Sequence, residues 1–158
     1  LEMQPNRKFY PDANFTMRLT YGQVLPYRPA DGVIYDYYTT LDGVIAKEDP
    51  SNPMEFTVPE KLKELYRAKD FGQYAEEGTV RVGFLSNNDI TGGNSGSPVL
   101  NAEGKVIGLA FDGNKESLAS DLYAVPGYNK CVCVDIRYIL WTLDKYAGMS
   151  RIIEELGL

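Results

Sequence analysis

The stretch TGGNSGSP at residues 91–98 is the most informative part of the sequence. In it, Gly92, Gly93 and Gly96 flank Ser95, and a proline then leads into a strand-like run. Glycine allows positive φ angles and lets another group approach the main chain closely. The alternative is an ordinary turn between strands, which clusters of glycine, serine and asparagine commonly form. The length of the string, and the hairpin pattern GKVIGL that follows it, favour a specialised loop.

Ser95 lies in a glycine-rich loop that can supply part of what a nucleophilic serine requires. A serine hydroxyl is a weak nucleophile, so it needs a base and hydrogen-bond donors aimed at the oxyanion of acyl transfer. The loop resembles the nucleophile loop of chymotrypsin-type serine peptidases. There the donors are the backbone N–H groups of the serine and of the glycine two residues before it. On this resemblance Ser95 is the predicted nucleophile, and Gly93 supplies the second donor of the oxyanion hole.

The base that Ser95 needs is missing from these 158 residues, because the sequence contains no histidine. Lys105 is rejected as a substitute, since it lies in a hairpin turn where a lysine is normally solvated. Asp89 is expected to brace the loop through hydrogen bonds to backbone N–H groups, without a part in catalysis. The sequence is therefore expected to be a piece of a longer protein.

The composition indicates an ordinary globular domain with an acidic balance. The formal net charge is −6, and the two cysteines are Cys131 and Cys133. The charge argues against nucleic acid or an anionic membrane as a partner, and no apolar run approaches the roughly 20 residues that span a bilayer. Two cysteines one residue apart, with no histidine and no second pair, predict buried thiols in place of a disulfide or a metal site. No metal and no cofactor are expected.

Alternating apolar and polar residues predict a mostly β fold. The longest predicted strand covers residues 14–27, with Met17 and Leu19 on its buried side and a bend near Gly22. Further strands are predicted at residues 33–40, 79–85, 97–100, 105–111 and 130–134. A short helix is predicted at residues 59–66, and a terminal helix from residue 136, interrupted at residue 148. This order is typical of a β-barrel with a terminal helix packed on its outside.

Four segments together resemble one family of peptidases. They are YPDANFTMRLTYG at residues 10–22, NDITGGNS at 88–95, GLAFDGN at 108–114 and VDIRY at 134–138. The sequence resembles, over essentially its whole length, the bacterial chymotrypsin-fold dipeptidyl peptidases of the dipeptidyl-peptidase seven and eleven types. The resemblance implies the second, six-stranded barrel of a double-barrel serine peptidase. Residues 1–134 would form this catalytic barrel and residues 135–158 a helical segment packed on it.

The same resemblance implies an activity and a set of site residues. Family members release dipeptides from the N-terminus of oligopeptides in the periplasm or at the cell surface. Asp112 matches the aspartate that binds the free α-amino group of the substrate. Gly113 matches a position in the S1 pocket that is arginine in members cleaving after Asp or Glu, so a preference for apolar or bulky penultimate residues is expected. The family's catalytic His and Asp, its first barrel and its helical insertion lie upstream of the matched region.

Several expectations follow for the chain on its own. Without the upstream half of the enzyme it should be inactive, and it should self-associate, for example as a homodimer, through the surface that meets that half. Lys115 departs from the family, which commonly has a Trp at this position. Two alternatives remain open: a glutamyl-type endopeptidase without an amine anchor, and a non-catalytic binding module whose upstream half has lost its triad residues.

Overall fold

Seven strands in two sheets form the β structure of residues 16–118 and 127–158, which are the residues that the computed structural model describes. The strands are β1 Tyr27–Ala30, β2 Val33–Tyr35, β3 Tyr38–Thr40, β4 Arg81–Ser86, β5 Pro98–Leu100, β6 Val106–Gly113 and β7 Cys131–Asp135. β1 and β2 pair as an antiparallel hairpin, and the other five form a sheet in the order β3-β4-β7-β6-β5. The mostly β class is therefore confirmed, but within these residues the sheets do not form the closed six-stranded barrel that was expected.

The main difference from the barrel lies in residues 16–26. The predicted long strand is wrong here, since the segment joins the sheet only through an isolated bridge between Val24 and Ser86. Met17 and Leu19, expected on a buried face, are 98% and 86% exposed, so no burial of apolar surface drives strand formation. Gly22 is required for a close approach, because a Cβ at this position would lie 2.8 Å from the backbone nitrogen of Asn88. Residues 14 and 15 of the predicted strand lie outside the described residues.

Four helices of six residues or more occur in the described part of the chain. They are α1 Leu41–Ala46, α2 Glu60–Ala68, α3 Ile136–Trp141 and α4 Ser150–Glu155, and a π-helical turn over Thr142–Tyr146 continues α3. The predicted short helix is confirmed by α2. The predicted break of the terminal helix is also confirmed, because Gly148 has a φ of 65° between α3 and α4. The sequence analysis missed α1, which follows directly after β3.

The chain divides into two compact units. In the described residues, one unit contains 16–37, 84–118 and 127–133, and the other contains 38–83 and 134–158. The predicted division at residue 134 stays a prediction. The second unit has an apolar core made of Leu41, Val58, Leu62, Phe71, Tyr74, Val80 and Trp141. The indole N–H of Trp141 donates to the carbonyl oxygen of Asp70 at 2.9 Å, so its polar atom is satisfied in the core.

The first unit contains the residues of the predicted active site. Its buried apolar side chains include Tyr27, Phe84 and Ala110, together with the two cysteines. β5 pairs antiparallel with β6, with Pro98 opposite Leu109 and a register shift after Val99. This pair of strands supports both the loop that precedes β5 and the residues at the end of β6.

Candidate active site

The loop around Ser95 is attached to β6 by main-chain hydrogen bonds on both sides of the serine. Gly96 N–H donates to the carbonyl oxygen of Ala110 at 2.7 Å, and Ala110 N–H donates to that of Ser97 at 2.9 Å. Gly93 and Gly96 have φ angles of 99° and 84°, which residues with a side chain rarely adopt. The backbone path of the loop therefore favours glycine at positions 93 and 96, whereas Gly92 has no positive φ and no atom within 4 Å of where its Cβ would be.

The two predicted oxyanion donors have no acceptor in the described residues. Neither the Gly93 N–H nor the Ser95 N–H donates a hydrogen bond there. Ser95 Oγ donates to the carbonyl oxygen of Phe111 at 3.3 Å, and a carbonyl cannot act as the base that a serine nucleophile needs. Within the described residues, the loop thus presents a hydroxyl group and two N–H groups without acceptors, and Ser95 Oγ has no basic side chain as its hydrogen-bond partner.

Ser95, Asp112 and Gly113, which the sequence analysis singled out, line one pocket of about 220 Å³. The other residues that line it are Ile90, Thr91, Gly92, Asn94, Ala110, Phe111, Ser117 and Leu118. Among the described residues that line the pocket, Asp112 alone is charged. Its Oδ1 accepts a hydrogen bond from the Gly113 N–H at 2.7 Å, which orients the carboxylate. An isolated carboxylate in such a pocket favours a cation and disfavours a second anion.

Gly113 leaves space that the Ser117 side chain occupies. A Cβ at position 113 would lie 2.3 Å from Ser117 Oγ, well below any normal contact distance. Ser117 Oγ is held in this position because it donates to the carbonyl oxygen of Asn114 at 2.7 Å. The wall of the pocket at this point is therefore a glycine backed by a hydroxyl group, without a basic side chain.

Asn114 fixes this wall in place, and the sequence analysis assigned it no role. The residue is buried; its side-chain N–H group donates to the carbonyl oxygen of Tyr128 at 2.7 Å and to Glu116 Oε2 at 2.9 Å. Its side-chain oxygen accepts from the backbone N–H of Lys130 at 2.9 Å. Because these bonds use both functional groups of the amide, Asn114 holds the end of β6 against residues 128–130. The quoted motif GLAFDGN contains Asn114, but Tyr128 and Lys130 are 14 and 16 positions away and cannot be inferred from it.

A second unpredicted residue, Arg18, lies at the other end of the loop. Asp89, which was expected to brace the loop through backbone N–H groups, forms an ion pair with Arg18 and accepts a hydrogen bond from Thr20. Burial raises the pKa of Asp89, but the bond from Thr20 and the charge of Arg18 outweigh this effect, and the pKa is lowered overall.

Comparison with known proteins identifies the family. The profile of the Peptidase S46 family matches residues 1–158. The chain belongs to the peptidase S46 family. Dipeptidyl-peptidase 7 of Phocaeicola vulgatus is 60% identical to this S46 chain over 149 residues, which are 94% of the chain and 20% of that protein. The Asp/Glu-specific dipeptidyl-peptidase of Porphyromonas gingivalis is 49% identical over 159 residues, 100% of the chain and 22% of that protein.

Solved structures show the same relationship. A crystal structure of Porphyromonas endodontalis DPP11 in complex with substrate matches the S46 chain with a TM-score of 0.89 and 47% sequence identity. The match covers 98% of this chain and 22% of that protein. The resemblance proposed from the four sequence segments is therefore confirmed. The S46 chain spans about a fifth of the length of the relatives it matches.

The remaining sequence predictions concern cysteines and membranes. Cys131 and Cys133 are free and buried, as predicted, with their sulfur atoms 3.6 Å apart. No group of three potential metal-ligating residues occurs in residues 16–118 and 127–158. No helix in the same ranges has both the length and the apolarity that crossing a bilayer requires.

Proposed function

We propose that this chain is the nucleophile-bearing part of a serine dipeptidyl peptidase that releases dipeptides from the N-terminus of oligopeptides. The observation that carries the proposal is one pocket whose described lining contains both Ser95, next to two N–H groups without an acceptor in the described residues, and one carboxylate. The serine group suits acyl transfer, and the carboxylate suits the free ammonium group of a peptide. The catalytic His and Asp come from the upstream half of the same enzyme, which is the chain's principal protein partner.

The proposed reaction is an acyl transfer in two steps. Ser95 Oγ attacks the carbonyl carbon of the second residue while the upstream His takes the hydroxyl proton. The Gly93 and Ser95 N–H groups stabilise the oxyanion, and the shortened peptide leaves with the proton that the His returns. Water then attacks the acyl-enzyme with the same His as base, and the dipeptide is released. Asp112 limits cleavage to the N-terminus because it anchors the α-ammonium group at a fixed distance from Ser95.

The proposed preference is for apolar or bulky penultimate residues. Asp112 is the only charged lining residue within residues 16–118 and 127–158, and the wall at Gly113 and Ser117 offers no cation to an acidic side chain. The relatives include proteins named Asp/Glu-specific as well as proteins named dipeptidyl-peptidase 7, so the preference is argued from the pocket and not from the family.

Three further parts of the proposal concern the chain in its setting. The chain alone is inactive, because it contains no histidine to take the proton of Ser95. The exposed side chains of Met17, Leu19 and Tyr21 belong to a surface that promotes self-association of the isolated chain, for example as a homodimer. The complete enzyme acts in the periplasm or at the cell surface, where extracellular oligopeptides reach it.

The test is a chimera in which this chain replaces the matching segment of the Phocaeicola vulgatus dipeptidyl-peptidase 7. Fluorogenic Xaa-Leu and Xaa-Asp substrates are compared with their N-acetylated forms. We expect cleavage of Xaa-Leu above Xaa-Asp, loss of cleavage on acetylation and no activity in Ser95→Ala, while the neighbouring Ser97→Ala stays active. Equal cleavage of acetylated substrates would favour the endopeptidase. An inactive but folded chimera would favour the binding module, and preferred cleavage of Xaa-Asp would refute the apolar preference alone.

A further inference from the structure

We propose that Arg18 and Asp89 form a clamp that positions Ser95 and the Gly93 N–H for catalysis. We use "clamp" for these two residues only. The inference rests on the proposed function and adds two positioning residues to it. Neither residue is among the described residues that line the pocket.

Arg18 contacts the nucleophile loop at three residues. One guanidinium nitrogen, Nη2, forms the ion pair with Asp89 Oδ2 and also donates to the Asp89 carbonyl oxygen at 3.5 Å. The other nitrogen, Nη1, donates to Asn94 Oδ1 at 3.4 Å and to Thr91 Oγ1 at 3.5 Å. The planar fork of an arginine can reach these points at once, which the single ammonium group of a lysine cannot do. Arg18 therefore ties the start of the loop to the residue next to Ser95.

The contact with Asn94 connects the clamp to the catalytic groups. Asn94 Oδ1 also accepts from the Thr91 N–H at 3.0 Å, and the Asn94 N–H donates to the Thr91 carbonyl oxygen at 3.2 Å. These bonds close a turn that contains Gly92 and Gly93. Glycine has the largest backbone freedom of any residue, so two adjacent glycines need external contacts to keep one conformation. The clamp supplies such contacts through the bonds of Arg18 to Thr91 and Asn94.

The partly buried position of the clamp makes it more effective than a surface ion pair. The side chains of Arg18 and Asp89 are 20% and 33% exposed, and Thr20 adds a hydrogen bond to the second carboxylate oxygen. Exposed ion pairs generally contribute little, whereas partial burial reduces screening by solvent and salt. Arg151 and Glu155 in α4 form an exposed pair of the same type, with Arg151 89% exposed, and provide a matched control.

The test uses the chimera with Arg18→Gln, Arg18→Lys, Asp89→Asn and the control Arg151→Gln. Catalytic groups misplaced by about 1 Å cost on the order of a hundredfold in rate. We expect Arg18→Gln and Asp89→Asn to lower kcat by about 10- to 100-fold with KM within twofold. Arg18→Lys, which keeps the charge but not the fork, should lie between wild type and Arg18→Gln, and Arg151→Gln should match wild type.

A second measurement keeps the test independent of activity. Amide hydrogen exchange of residues 90–96 in the folded chimera should accelerate at least about tenfold in Asp89→Asn and Arg18→Gln, and not in Arg151→Gln. Unchanged exchange would overturn the clamp even if the chimera had no peptidase activity. An active wild type with kcat unchanged in Arg18→Gln and Asp89→Asn would also overturn it, while leaving the proposed function intact. If Ser95→Ala lost activity only to the extent that it lost folded protein, that result would instead count against the proposed function.

Discussion

Gly113 and Ser117 provide the sharpest quantitative prediction, because each limits what the other position can hold. A Cβ added at residue 113 would lie 2.3 Å from Ser117 Oγ but 3.5 Å from Ser117 Cβ. The first distance requires Oγ to rotate away, and the second is an ordinary contact. Gly113→Ala should therefore be unfavourable only while Ser117 carries its hydroxyl group.

The magnitude follows from the hydrogen bond that the rotation breaks. Ser117 Oγ donates to the Asn114 carbonyl oxygen at 2.7 Å, and a bond of this kind contributes about 0.5–1.5 kcal/mol. The Asn114 carbonyl oxygen keeps its bond from the Ser117 N–H at 2.9 Å, so no buried acceptor is left unpaired. We expect Gly113→Ala to lower the free energy of unfolding by about 1 kcal/mol in the wild type. In a Ser117→Ala background it should cost about nothing, or stabilise slightly by restricting the unfolded chain.

The assay is urea unfolding of the four proteins of the double-mutant cycle, followed by circular dichroism. The predicted coupling free energy between the two positions is about 1 kcal/mol, compared with an additivity error of about 0.3–0.5 kcal/mol for independent sites. Equal costs of Gly113→Ala in the two backgrounds would refute the contact between position 113 and the Ser117 hydroxyl group. Equal costs would also mean that this hydroxyl group does not fill the space beside Gly113.

Three other predictions test single features. In the active chimera, Asp112→Asn should reduce kcat/KM for free-amine substrates by about 10- to 150-fold, since a hydrogen bond to a charged group contributes about 1.5–3 kcal/mol. Any residual cleavage of N-acetylated substrates should not change. The pKa of Asp89 is lowered in the folded state, so its charged form stabilises the fold relative to Asp89→Asn. This stabilisation should be present above the unfolded-state pKa of about 3.9 and disappear as pH falls through the lower folded-state pKa. Urea unfolding of both proteins at pH 7 and pH 3 measures the difference, and an equal difference at both pH values would contradict the prediction. Cys131 and Cys133 should resist alkylation by iodoacetamide in the native chain and react fully in urea, because both are buried, so rapid native labelling would show that β7 opens.

The sequence predicted the local structure around Ser95 well because the relevant constraints are local. Positive φ angles at Gly93 and Gly96 select glycine directly, and alternation over residues 105–111 corresponds to β6. The helix at Glu60–Ala68 likewise follows from its own amphipathic pattern and the preceding proline. In each case the residues that determine the conformation are close neighbours in the sequence.

The errors arise where distant residues decide the outcome. Residues 16–26 have a strand-like alternation, but the structure leaves Met17 and Leu19 exposed and the segment largely unpaired. The pairing of Arg18 with Asp89 joins residues 71 positions apart, and no pattern in one sequence indicates it. α1 was missed because its six residues include Gly43, which is unfavourable in helices, and because the helix forms where Leu41 is completely buried.

The charge of the pocket affects both parts of the proposed specificity: the requirement for a free N-terminus and the preference for apolar or bulky penultimate residues. A carboxylate and an ammonium group about 4 Å apart attract each other by about 4 kcal/mol at an effective dielectric constant of about 20, and two carboxylates repel each other by a similar amount. Asp112 is the only charged residue that lines the pocket in the described part of the chain, so under the proposed function the group that would attract the substrate's N-terminus would also oppose an acidic side chain nearby. Cleavage after an acidic residue would require a compensating cation in the pocket. Gly113 and the Ser117 hydroxyl group beside it supply no such cation at this part of the pocket wall.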